Sequence, residues 1–167
     1  VGVPHDDISS NVNQGSVYVY SWDGSSWTET KLVAVEGATD AVFGTSVSVS
    51  NDGSAIAAGA PMDYTAGTYA GAVYVYRWNG TSWGETKIIA SDGLFADRFG
   101  HSVSISGDGS IVMAGAKQDD IGSNTNQGSA YIYRWNGTSW AETKLVADIG
   151  AMNDLFGWSV AVSADGK

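Results

Sequence analysis

The chain has 167 residues, with 18 Asp and Glu against 8 Lys and Arg, a formal net charge of −10. That balance excludes nucleic acid as a partner, because affinity for phosphates comes from Lys and Arg. The chain has no Cys, which rules out disulfides and thiolate metal sites, and no apolar run of about 18 residues, which rules out membrane insertion by a helix.

In chain order, Val1-Gly2-Val3-Pro4 aligns with Ala58-Gly59-Ala60-Pro61, the end of a strand, and HDDISSNVNQG (5–15) follows as a polar loop. The middle of the chain holds a full unit. FGTSVSVS (43–50) alternates Val with Ser at period two and predicts a strand; Asn51-Asp52-Gly53 predicts a tight turn. SAIAAGAP (54–61) predicts a second strand, 62–71 a loop, GAVYVYRW (71–78) a third strand, and TSWGETKIIA (81–90) a fourth after the hairpin signal Asn79-Gly80. The unit recurs: Phe43-Gly44, Phe99-Gly100 and Phe156-Gly157 are 56 and then 57 positions apart, and Trp22/Trp27, Trp78/Trp83 and Trp135/Trp140 keep the same step. A fixed period of this size marks one supersecondary unit stacked on its own copies.

Four antiparallel strands per repeat and no helical period predict an all-β fold of β-propeller blades. Small residues in the first two strands suit blades converging on an axis, and the Tyr and Trp of the third and fourth suit filling the gap between blades. Glu85 and Lys87, echoed at Glu29/Lys31 and Glu142/Lys144, read as charge that keeps the outermost edge from pairing.

The FG strand, the short gap and Gly59-Ala60-Pro61 together resemble the FG-GAP repeat, the blade unit of integrin-α-type propellers. The other copies carry Gly2-Val3-Pro4 and Gly115-Ala116-Lys117 in place of the full motif. The resemblance implies an extracellular or cell-surface module for adhesion, structural assembly or protein and glycan recognition. The Asp-rich calcium loop that integrin-like repeats often place between the FG and GAP strands is absent here. Its place is taken by Asn51-Asp52-Gly53, Gly107-Asp108-Gly109 or Ala164-Asp165-Gly166, too short to wrap the oxygens that Ca²⁺ needs.

The whole of 1–167 reads as three such repeats, one of them split. Residues 156–167 are expected to supply the innermost strand of the first repeat and 1–42 the rest; 43–98 is the second and 99–155 the third. The expected partners are neighbouring repeats of a longer chain, or other copies in a head-to-tail dimer of six blades, a trimer of nine or a filament.

The sequence offers few catalytic candidates, and no enzyme activity is expected. His5 and His101 are not repeat-equivalent; His101 shares its slot with Thr45 and Trp158 and is a candidate for binding at the axis. SWDGSSW (21–27) looks like the Asp-box hairpin of sialidases, but three arginines of which Arg77 and Arg134 are one repeated position do not make a carboxylate-gripping triad. Asp7, Asn11 and Asn13 match Asp120, Asn124 and Asn126 in spacing. As oxygen ligands they are candidates for Ca²⁺, against the alternative of ordinary Asx-turns. The middle copy breaks that pattern with Asp63, Tyr64, Thr68 and Tyr69. The loops before each FG vary most and nominate Phe95 and Met152 for partner recognition. A lectin with sugar sites between blades is the alternative function, using Trp78 and Trp83 with Asp63. Asn79 and Asn136 head sequons and are glycosylation candidates.

Overall fold

A computed structural model of the chain describes residues 1–64 and 69–167. Eleven strands run in chain order: β1 Gly2–Val3, β2 Ser16–Trp22, β3 Trp27–Leu32, β4 Ser46–Val49, β5 Ala55–Ala60, β6 Ala72–Trp78, β7 Trp83–Ile88, β8 Phe99–Ile105, β9 Ile111–Ala116, β10 Ser129–Trp135 and β11 Trp140–Leu145. They form three antiparallel meanders, β1-β2-β3, β4-β5-β6-β7 and β8-β9-β10-β11. Among the described residues there is no helix, and so none long and apolar enough to cross a membrane. The architecture is all-β, built of propeller-like blades.

The turns follow from their residues. Gly80 sits at φ 95° in the β6–β7 turn, where Asn79 Oδ1 accepts from the backbone N–H of Thr81 and Ser82, both at 2.9 Å. Gly53 at φ 72° closes the β4–β5 turn, and Asp52 Oδ1 accepts from Ser50 Oγ at 2.7 Å and Ser54 N at 2.9 Å. The first strand of the second blade is shorter than the predicted 43–50. Val42 at φ 50° and Gly44 at φ 89° break the extended backbone, and Phe43 bridges instead to Gly15 in parallel.

The FG and GAP signatures meet across the blade boundary. A Cβ built on Gly59 would lie 1.8 Å from the carbonyl oxygen of Gly100, and one on Gly115 1.9 Å from that of Gly157. Backbone therefore touches backbone at the inner rim, which only glycine permits. Ser46 Oγ and Ser102 Oγ donate to the same two carbonyls at 2.9 and 2.8 Å. The FG phenylalanines close the other side of this joint. Phe43 and Phe99 are both fully buried, edge-on to Tyr74 at 5.2 Å and Tyr131 at 5.3 Å.

The second blade buries both faces against different neighbours. Tyr74 and Tyr76 of β6 pack with Val17, Leu32 and Phe43 toward the first sheet, and Val73 and Val75 pack with Phe99, Val112, Tyr131 and Tyr133 toward the third. The alternation at period two is thus an inward pattern on both sides. The first sheet has a two-residue β1, and Tyr20 is 48% exposed where its equivalents Tyr76 and Tyr133 are each 3% exposed. Residues 156–167 pair with no strand of that first sheet within this chain. They lie along β8, where Val162 N donates to Ser104 Oγ at 3.1 Å and Gly107 N to Ala164 O at 2.9 Å.

Two readings of side-chain roles gain detail. The Tyr residues fill the gap between blades, and the Trp residues add cross-strand pairs at the outer hairpins, with centroids 5.3 Å, 5.4 Å and 5.3 Å apart, of which Trp83 and Trp140 also pack against the cores between blades. Trp78 and Trp83 are the last pair of the β6–β7 ladder, where the sheet has no further strand to cover them, so Trp78 stays 44% exposed. Glu85 and Lys87 serve more than edge protection. They lie opposite Tyr76 and Tyr74 in the ladder, on one face, so the Tyr76 hydroxyl donates to Glu85 at 2.7 Å and Lys87 reaches Asp63 at 2.8 Å.

Candidate functional site

The loops after the second strand of each blade and the loops before each FG emerge at one end of the stack. The Asn-Gly and Asp-Gly turns occupy the other. At the loop end the inner rim opens into a cleft of about 400 Å³. Its lining is built from four repeat positions in which the copies differ. Pro4, Pro61 and Lys117 are one position and His5, Met62 and Gln118 the next; Val42 pairs with Arg98, and Thr45 with His101. The residue before Phe-Gly is left-handed in every copy, with φ of 50° at Val42, 62° at Arg98 and 56° at Leu155. An unfavourable conformation shared by three different side chains belongs to the joint itself. The third copy places a guanidinium there.

The cleft is electropositive inside an acidic protein. Arg98 Nε donates to Gln118 Oε1 at 3.1 Å, and Lys117 Nζ stands 3.7 Å from the centroid of the Trp158 ring. His101 meets the same indole edge-on at 5.1 Å. Burial, then the positive charges of Lys117 and Arg98, hold the His101 imidazole below its ordinary pKa. Burial and Arg98 likewise depress Lys117.

The lysines common to all copies behave otherwise. Lys31 pairs with Asp6 at 2.7 Å, Lys87 with Asp63 at 2.8 Å, and Lys144 with Asp119 and Asp92, both at 2.6 Å. The pairs with Asp6, Asp63 and Asp119 staple the fourth strand to the loop after the second, and the pair with Asp92 ties β11 to the loop that leaves β7. Ser16 and Ser129 hydroxyls donate to Asp6 and Asp119 at 2.5 Å, and the Tyr74 hydroxyl to Asp63 at 2.7 Å. Asp97 is buried without an ion pair among the described residues. Its carboxylate accepts from Leu94 N at 2.6 Å, and burial pushes its pKa up to about 6.

The calcium candidates hold their own loops together. Asp7 Oδ1 accepts from Asn13 N at 2.8 Å, and Asp120 Oδ1 from Asn126 N at 2.7 Å. Asn11 Nδ2 donates to Gln14 Oε1 at 2.7 Å and Gly37 O at 3.1 Å, and Asn124 Nδ2 does the same with Gln127 and Gly150. Asn13 reaches Asp40 at 2.9 Å and Asn126 reaches Asn153 at 3.1 Å. Each loop is thereby tied to the one before the next FG. Among the described residues no three His, Cys, Asp or Glu side chains are grouped to hold a metal ion. Thr68 of the middle copy lies outside the described residues.

Phe95 is 71% exposed and joins Tyr69 and Tyr64 in an aromatic cluster, with centroids 6.1 and 5.0 Å apart. Met152, also exposed, occupies the corresponding loop of the next copy. The structure does not bring Asp63 together with Trp78 and Trp83. Asp63 is 1% exposed at the loop end of β6, and the Trp pair stands at the opposite end. Asn79 and Asn136 are exposed in the hairpin turns, their Nδ2 atoms donating to Ser82 and Ser139 at 3.2 and 3.1 Å. Sequence reasoning singled out His101 and passed over Arg98 and Lys117. The signal was the departure of Gly115-Ala116-Lys117 from the GAP motif.

A stack of four-stranded meanders whose joints are made by FG on one side and GAP on the other defines a blade-repeat protein. The FG-GAP repeat family matches residues 27–76 and 83–133, more than half of the chain, and the chain belongs to that family. Each matched segment begins at the outer strand of one blade and runs into the third strand of the next, so the matched unit includes the joint. Such repeats are typical of extracellular proteins. No curated protein matches the chain.

Proposed function

We propose that this chain is a non-catalytic propeller module of an extracellular protein, recognising a protein or glycan ligand through its loop end. One observation carries the reading: the side chains that break the repeat gather at that end, including the exposed Tyr64, Tyr69, Phe95 and Met152. The other end repeats the same Asp-Gly and Asn-Gly turns. A rigid scaffold with variable loops on one face is the usual arrangement for recognition, and exposed aromatics are typical anchors. The blades are completed by neighbouring repeats or by further copies of the chain, and light scattering across a dilution series reads which.

The test is binding to a glycan array and to extracellular-matrix surfaces, comparing the unaltered chain with Phe95→Ser and Met152→Ser. Binding lost in these variants and kept in Thr81→Ala, at the opposite end, supports the reading. Binding unaffected by the loop variants overturns it. The half-exposed Trp22 and Trp27 keep a multivalent lectin as the second reading. Sugars that quench Trp fluorescence without regard to Phe95 would favour it.

A further inference from the structure

The cleft at the inner rim goes beyond that reading, because it rests on charge and not on the aromatic cluster. The protein has eight Lys and Arg in all, and two of them, Arg98 and Lys117, line this one cleft with His101 and His5. Among the described residues, Lys31, Lys87, Lys144 and Lys167 each have a carboxylate within 3.3 Å, and Lys117 has none. The carboxylates nearby are engaged elsewhere: Asp97 with Leu94 N, Asp119 with Lys144, Asp6 with Lys31 and Asp7 with Asn13 N. The cleft lining supplies no carboxylate of its own.

The donors are also aimed. Gln118 occupies the Nε–H of Arg98 and fixes the plane of the guanidinium, leaving its terminal nitrogens, which present a fork suited to an oxyanion. Trp158 contacts both Lys117, at 3.7 Å from its ring centroid, and His101, edge-on at 5.1 Å, and so keeps both at the rim. The arrangement is not a by-product of the repeat, since the same slots hold Pro4 and Pro61, Val42 and Leu155, and Thr45 in the sibling copies. Three unpaired cationic or protonatable groups facing one concavity cost stability through mutual repulsion, and an anion removes that cost.

We propose that the cleft formed by Arg98, Lys117 and His101 is an anion site, taking the oxyanion group (carboxylate, sulfate or phosphate) of a ligand. The net charge of −10 repels anions from the rest of the surface, so binding is confined to this cleft. Its loss leaves the aromatic cluster untouched, and the two sites fail or succeed separately.

The experiment is an NMR titration of the ¹⁵N-labelled chain with sodium sulfate, sodium phosphate and sodium glucuronate, against sodium chloride at matched ionic strength. Saturable shifts confined to Arg98 Nε–H, Gln118, Lys117 and the His101 ring are expected, with the His101 titration moving upward on saturation. Preference between the tetrahedral anions and the carboxylate then reads which source the site serves. Arg98→Leu and Lys117→Pro install the residues that sibling copies carry at these positions, so the joint is retained. Each is expected to weaken binding about tenfold or more, the usual loss when a charged partner is removed. No saturable shift with any of the three anions, or equal shifts at Lys31 and Lys87, overturns the proposal. If a variant unfolds, the confinement of the shifts in the unaltered chain decides alone.

Discussion

Two sets of cations occupy the same end of each sheet and behave in opposite ways. Lys31, Lys87 and Lys144 recur in every copy and each is neutralised by an aspartate of its own blade. Arg98 and Lys117 occur once, line the inner-rim cleft and, among the described residues, pair with no carboxylate. The repeated charge belongs to the architecture. The unrepeated charge is half-buried at a cleft whose repeat positions the copies fill differently.

The comparison is tested most severely at the joint beneath the rim. Gly59→Ala would drive a Cβ into the Gly100 carbonyl, and because both sides are backbone the blades must separate. The expected loss is about 3 kcal/mol or more, beyond ordinary overpacking, measured by denaturant unfolding. Lys87→Met comes next. It leaves Asp63, which is 1% exposed, without its cation, at an expected cost of about 3 kcal/mol. Were Lys117→Gln to cost as much, the distinction between repeated and unrepeated cations would collapse; its expected cost is within about 0.5 kcal/mol.

Asp97, next to Arg98 in the chain, is buried and has no ion pair among the described residues. Its folded-state pKa near 6 lies above the unfolded value of 3.8, so the folded state holds the proton more tightly. The stability this contributes is complete below pH 4 and disappears as pH rises through 6, about 3 kcal/mol across the window. Asp97→Asn should therefore gain about 1–2 kcal/mol at pH 7 and flatten the pH dependence between 4 and 6. The smallest of the expected losses before Lys117→Gln is Tyr76→Phe, about 1 kcal/mol for the hydrogen bond to Glu85.

Much of the fold was legible because its local signals agree. The Val/Ser alternation, the Asn-Gly and Asp-Gly turns and the fixed period each point to the same four-stranded unit. What stayed hidden depends on which copy packs on which. Nothing in RWNGTSW states that Arg77 donates to the carbonyl of Gly109 at 2.5 Å and lies over Trp135 and Trp140 of the next blade, because that contact spans 58 residues or more to the ring. The Glu and Lys of the fourth strand looked like edge charges for the same reason: their tyrosine and aspartate partners are fixed by ladder register. The cleft was legible in part. His101 was visible as an odd residue after FG, but Arg98 and Lys117 became neighbours only once the FG turn of one strand met the GAP end of the next.

The glycine-to-carbonyl contact at each joint sets how closely the blades approach, main chain against main chain. A joint gauged chiefly by main chain leaves little to adjust, so the residues that accumulate on the rim above it do not alter its spacing. The mouth is thus free to diversify, one copy at a time, over a bearing that stays the same size.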